Sequence, residues 1–114
     1  MAKESMPMIV EVSVLSDRRG VEIMASTPPL GGDPFSEHVA GSVSRASAAL
    51  AGTTVEKLPN VAGVPRPEVD GGHVFMTLWR IVYGAPQDVE ALSKARASVV
   101  AALRADGLPA KEAK

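Results

Sequence analysis

The sequence predicts an α+β fold, a two-layer sandwich with two helices on one face of an antiparallel or mixed sheet of three to four strands. Three observations predict it. The run His73-Val-Phe-Met-Thr-Leu-Trp-Arg-Ile-Val-Tyr83 holds three of the four aromatic residues and lies between Gly71-Gly72 and Gly84-Ala85-Pro86. Residues 8–26 alternate apolar and polar on either side of one short turn. Two further segments, near 34–51 and 86–106, place apolar residues at helical spacing between an opening proline and a closing glycine. The expected order is β-β-α-(β)-β-α.

From Met8, the positions Val10, Val12 and Val14 share one face and Glu11 and Ser13 the other, the signature of a half-buried strand. Ser16–Gly20 reads as a turn, and Val21, Ile23 and Ala25 repeat the alternation, so the two strands form an antiparallel hairpin. Pro34 suits the first helical position with Asp33 as N-cap. Val39, Val43, Ala46 and Leu50 make the first helix's stripe, and Gly52 ends it. Gly41 and several serines give this helix mediocre intrinsic propensity, so packing must hold it.

Thr53–Leu58 has the composition of a short strand, and Pro59–Gly72, with prolines at 59, 65 and 67, reads as an irregular loop. The 73–83 run carries aromatics four apart, a spacing that suits either a helix or a strand face. Its Val, Ile, Thr and aromatic content and its glycine and proline boundaries decide for a strand, central because both faces are apolar. Pro86 opens the second helix, with Asp88 and Glu90 in its first turn and a stripe of Val89, Leu92, Val99 and Leu103 extended by Ala95 and Ala102. Gly107 and Pro109 close it. The whole chain, 1–114, reads as one domain, with disordered tails at 1–6 and 108–114.

The chain has 114 residues, 46% of them hydrophobic, enough to bury a core without crosslinks. Aromatics are only 4%, so the core rests on Val, Ala, Leu, Ile and Met. The absence of cysteine removes disulfides, thiolate metal sites and a cysteine nucleophile. A net charge of −1 offers no general attraction to nucleic acid or anionic lipid. No segment has the form of a signal peptide or membrane span. The Ala, Gly, Val and Arg bias has the look of a bacterial sequence, and the expected location is the cytoplasm. No metal or nucleotide cofactor is expected: two histidines far apart are not a ligand set, and no glycine-rich loop sits in a strand-loop-helix context.

The chemistry-bearing residues are few. His73 opens the long strand three residues after Asp70, a pairing that could orient an imidazole as general base, although an exposed strand-end histidine needs no such role. His38 reads as a helix-surface residue near the N-terminal dipole. Gly41-Ser-Val-Ser44 lacks the spaced glycines and strand-turn-helix setting of a nucleophile elbow, and its serines read as the polar face of a helix. Lys94, Arg96 and Arg104 sit toward a helix C-terminus, as the macrodipole favours.

Arg80 is the most informative residue. It interrupts the set Val74, Met76, Leu78, Val82, while His73, Phe75, Thr77, Trp79, Ile81 and Tyr83 form the opposite face of the strand. Turned toward the helices, Arg80 would be buried at a cost of several kcal/mol, on the order of a desolvated charge. Turned outward, it meets Glu11, Ser13 and Glu22 of the hairpin and can pair with a glutamate. The outward orientation leaves Val74, Met76, Leu78 and Val82 on a face with no helix to cover it, a surface suited to a partner.

The expectation is therefore a small binding or interaction module that self-associates as a homodimer through Val74, Met76, Leu78, Arg80 and Val82. A small cofactor-free enzyme of isomerase or oxygenase type is the alternative, with a site from His73, Asp70 and Arg80 and with Trp79 lining a pocket. A third reading is an accessory protein contacting one partner through Pro59–Gly72.

Overall fold

The structure, a computed structural model, describes the backbone over residues 9–27, 32–59, 61–65 and 73–113, and side chains over 10–26, 38–59 and 76–113. The chain runs β1 (Ile9–Val14), β2 (Gly20–Thr27), α1 (Gly32–Ala48), β3 (Thr53–Lys57), β4 (Val61–Pro65), β5 (His73–Tyr83), α2 (Val89–Ala105) and β6 (Ala110–Glu112). It is an α+β fold with two helices against an open, mixed sheet.

The sheet order is β3-β5-β2-β1-β6, with β4 continuing along the edge of β5 that β3 occupies. β1 and β2 form the expected antiparallel hairpin, with Val12 opposite Ile23. β2 then pairs antiparallel with β5 from Gly20–Val82 to Thr27–Phe75. Among the described strands, β1 and β6 are the only neighbours that pair in parallel. β5 is flanked on both sides, which explains why a run of eleven residues with apolar side chains on both faces is stable as a strand. Strand direction requires both helices to be crossovers. β2 and β3 are parallel with β5 between them, and α1 joins them. β5 and β6 are parallel with β2 and β1 between them, and α2 joins those.

Alternation decides the core. Val10, Val12, Val21, Ile23, Ala25, Trp79 and Ile81 project to one side, where Val39, Val43 and Ala46 of α1 and Val99, Val100 and Leu103 of α2 meet them in one cluster. Each fully buried Ile or Leu among them contributes roughly 1.5–3 kcal/mol. The N-cap of α2 is Asp88, whose carboxylate accepts from Ala91 N at 2.7 Å.

Several expectations are corrected. The sheet is wider than three to four strands, because β4 and β6 join it. β4 lies within the stretch read as an irregular loop: backbone pairing with β5 organises it, across a register shift between Val61 and Val64. The C-terminal segment read as a disordered tail also folds. Leu108 and Ala110 are buried at 5% and 3% exposure, β6 adds to β1, and Ala113 N donates to Val12 O at 2.8 Å. Two arginines of α2 clasp it: Arg104 Nε donates to Ala110 O at 2.7 Å, and Arg96 Nη1 to Ala113 O at 3.0 Å. Those side chains thus have a specific purpose beyond the helix dipole. α1 begins at Gly32, so Asp33 lies inside its first turn rather than capping it. Val89, expected in the buried stripe, is 69% exposed, since α2 begins there, immediately after its cap. The proposed tail 1–6 lies outside the described residues.

Candidate functional site

The face of the sheet opposite the helices carries Glu11, Ser13, Glu22, Met24, Leu78, Arg80 and Val82, all half-buried. Register sets them in rows. Glu56, Arg80, Glu22 and Ser13 stand side by side across β3, β5, β2 and β1, and the next row is Leu78, Met24, Glu11 and Lys111. Arg80 faces outward, and its Nε donates to Glu22 Oε2 at 3.1 Å. Its side chain is 39% exposed and that of Glu22 23%, so the pair is worth about 0–1 kcal/mol and serves mainly to fix the orientation of the guanidinium.

Among the stripe residues expected on this face, Leu78 and Val82 are half-buried, and Met24 of β2 joins Leu78 as its cross-strand neighbour. Met76 is a correction. At 9% exposure it is buried, although it is not part of the helix-packed cluster. Its neighbour Ser26 is fully buried, with an Oγ that has no hydrogen-bond partner. The open part of the stripe is therefore shorter than the alternation implied. The Val74 side chain lies outside the described residues.

The alternative catalytic set does not assemble. His73 and Arg80 are seven positions apart on one strand, roughly 23 Å at the usual rise per residue, too far to serve one reacting centre. Asp70 lies outside the described residues, as does the side chain of His73. Trp79, imagined in a pocket with Arg80, is 3% exposed and sits in the core on the other face, with Lys57 Nζ 5.4 Å from its ring centroid. Among the described residues no group of three or more histidines and carboxylates could hold a metal. No helix among them is long and apolar enough to cross a membrane.

The structure assembles one polar cluster that sequence reasoning missed. His38, Ser42 and Arg45 project from one face of α1 toward Asp106, the C-cap of α2. Ser42 Oγ donates to Asp106 Oδ2 at 2.6 Å, and Arg45 donates to the same oxygen from Nε at 3.2 Å and Nη2 at 2.9 Å. His38 Nε2 lies 3.0 Å from Asp106 O; a carbonyl only accepts, so Nε2 carries the proton. The Ser42 hydrogen bond, followed by that from Arg45, holds the Asp106 carboxyl below its usual range. Ser42 is thus fully buried, against its reading as part of a polar helix face. A serine that donates straight to a carboxylate, with the imidazole on a backbone carbonyl, is not a nucleophile–base pair. The cluster fastens α1 to α2. The signal for it was the spacing of His38, Ser42 and Arg45, which puts them on one helical face.

Compared with protein-family models, curated proteins and solved structures, the chain matches none.

Proposed function

We propose that this protein is a small binding module that self-associates through the sheet face opposite its helices. The observation that carries this reading is the disposition of the two layers. Both helices spend their apolar stripes on one face, and Met24, Leu78 and Val82 remain half-buried on the other, with no described helix over them. Of the charged groups beside these three, Glu22 and Arg80 pair with one another, so neither opposes desolvation as an unpaired charge would. A two-fold arrangement needs a single self-complementary patch, and a sheet face bearing apolar residues beside an ion pair supplies one.

Light scattering at high micromolar concentration tests the reading. The wild type is expected to show at least a dimer's mass, and Leu78→Glu to reduce it, because the new carboxylate would be desolvated without a partner. Arg80→Ala should weaken association less, since Glu22 of the same subunit already engages it. A monomeric wild type, or a Leu78→Glu protein of unchanged mass, refutes the reading.

A further inference from the structure

β3 offers a second, independent surface. Its five residues form an edge: among the described strands β3 pairs with β5 alone, and Thr54 to Lys57 are all exposed. Leu58 N donates to Leu78 O at 3.0 Å, and Leu58 is opposite Leu78 in the β3–β5 register. Even-numbered positions of β3 therefore direct their backbone groups to β5, and odd-numbered ones direct theirs away. Thr53 obeys this, because its N–H turns outward to Leu50 O at 3.3 Å. At Val55 both the N–H and the C=O face the open edge. The Val55 side chain is 37% exposed, one of two large exposed hydrophobics among the described residues and the only one on the sheet.

We propose that β3 is a homotypic edge, which pairs antiparallel with β3 of a second copy about a two-fold axis at Val55 and continues the sheet across both molecules. The register follows from the side chains. With Val55 opposite its own counterpart, all five residues find a partner: Thr54 faces Glu56 of the second copy, and Thr53 faces Lys57. Val55 and its counterpart exchange both backbone hydrogen bonds and cover each other's side chains on the helix side, where Val55 already adjoins Ile81. A slip by two residues in one direction sets Glu56 against Glu56, and like charges directly opposite are destabilising. A slip in the other direction carries Glu56 past the strand end to Gly52, whose φ of 82° is a turn conformation. Only the register centred on Val55 matches the whole strand and opposes no like charges. Free edges commonly invite such pairing unless a charge or proline blocks it. Here Lys57 does not block it, because its amine bends back to Leu58 O at 2.6 Å and over Trp79.

This inference does not rest on the sheet-face reading, and one experiment separates them. Amide hydrogen exchange at residue 55 is followed by NMR at low and high protein concentration, with light scattering in parallel, in wild type, Val55→Lys and Leu78→Glu. Val55 N–H has no acceptor among the described residues, so edge pairing should slow its exchange about tenfold or more as concentration rises. The same protection should persist in Leu78→Glu and vanish in Val55→Lys, which sets two ammonium groups against each other across the axis yet changes only an exposed side chain. Fast exchange at residue 55 in the wild type at high concentration overturns the proposal, even where the mass is that of a dimer. Protection that is independent of concentration, or that survives in Val55→Lys, overturns it equally.

Discussion

Gly20 is the position where one methyl group should be least tolerated. It opens β2 opposite Val82, is buried, and lies so close to β5 that a Cβ would fall on the Ile81 carbonyl oxygen and 2.9 Å from Val82 Cα. Both obstacles are backbone atoms of the central strand, so no side-chain rotation relieves the overlap. Normal contact would require the strands to part by on the order of 1 Å. Overpacking of this kind costs about 1–3 kcal/mol, and a weakened β2–β5 hydrogen bond adds about 1 kcal/mol. The lower entropy of an unfolded chain with alanine returns only about 0.4–1 kcal/mol. Gly20→Ala should therefore lose about 1–3.6 kcal/mol. For a chain of 114 residues each kcal/mol moves Tm by about 4 °C, so the melting temperature followed by circular dichroism should fall by about 4–14 °C. Gly84→Ala is the matched control, since a Cβ there meets nothing within 4 Å, and its change should stay within about 2 °C. A Gly20→Ala protein that melts within 2 °C of wild type would refute the close approach of β2 and β5.

The Asp106 cluster makes a prediction in pH. Its carboxyl titrates below the usual range of an aspartate, so its stabilising effect is complete above the unfolded-state pKa and is lost as pH falls through the lower folded-state pKa. Urea unfolding between pH 7 and acid should show a smaller acid-induced loss in Asp106→Asn than in wild type; parallel profiles would remove the cluster from the acid response. Arg96→Ala should loosen β6 selectively, with faster amide exchange at residues 110–113 and β1–β2 amides unchanged, because the guanidinium donates to Ala113 O and lies 3.5 Å from Glu112. Uniform acceleration across the sheet would show instead that β6 is integral to global unfolding.

The α+β class, the hairpin, both helices and the strand 73–83 were all legible in the sequence, because each depends on local periodicity and boundary residues. Val10, Val12 and Val14 alternate whatever β1 lies beside, and Leu92, Val99 and Leu103 recur at helical spacing before anything covers them. The outward orientation of Arg80 was legible too, since burying an unpaired guanidinium costs more than a strand can recover. What sequence could not decide depends on partners distant along the chain. Ala110–Glu112 is too short and too polar to read as a strand, and becomes one because β1 offers it an edge and two arginines of α2 hold the carbonyls of Ala110 and of Ala113 just beyond it. Residues 61–65, broken by glycine and proline, are organised by the free edge of β5. Ser42 looks like a solvent-facing serine until Asp106, 64 residues away, accepts its hydrogen bond. Gly20 reads as an ordinary turn residue, and only the approach of β5 makes a side chain there costly. Local pattern sets which element forms, whereas the edges, clasps and close approaches arise only when elements meet, because their energies belong to pairs of residues that no window of sequence contains.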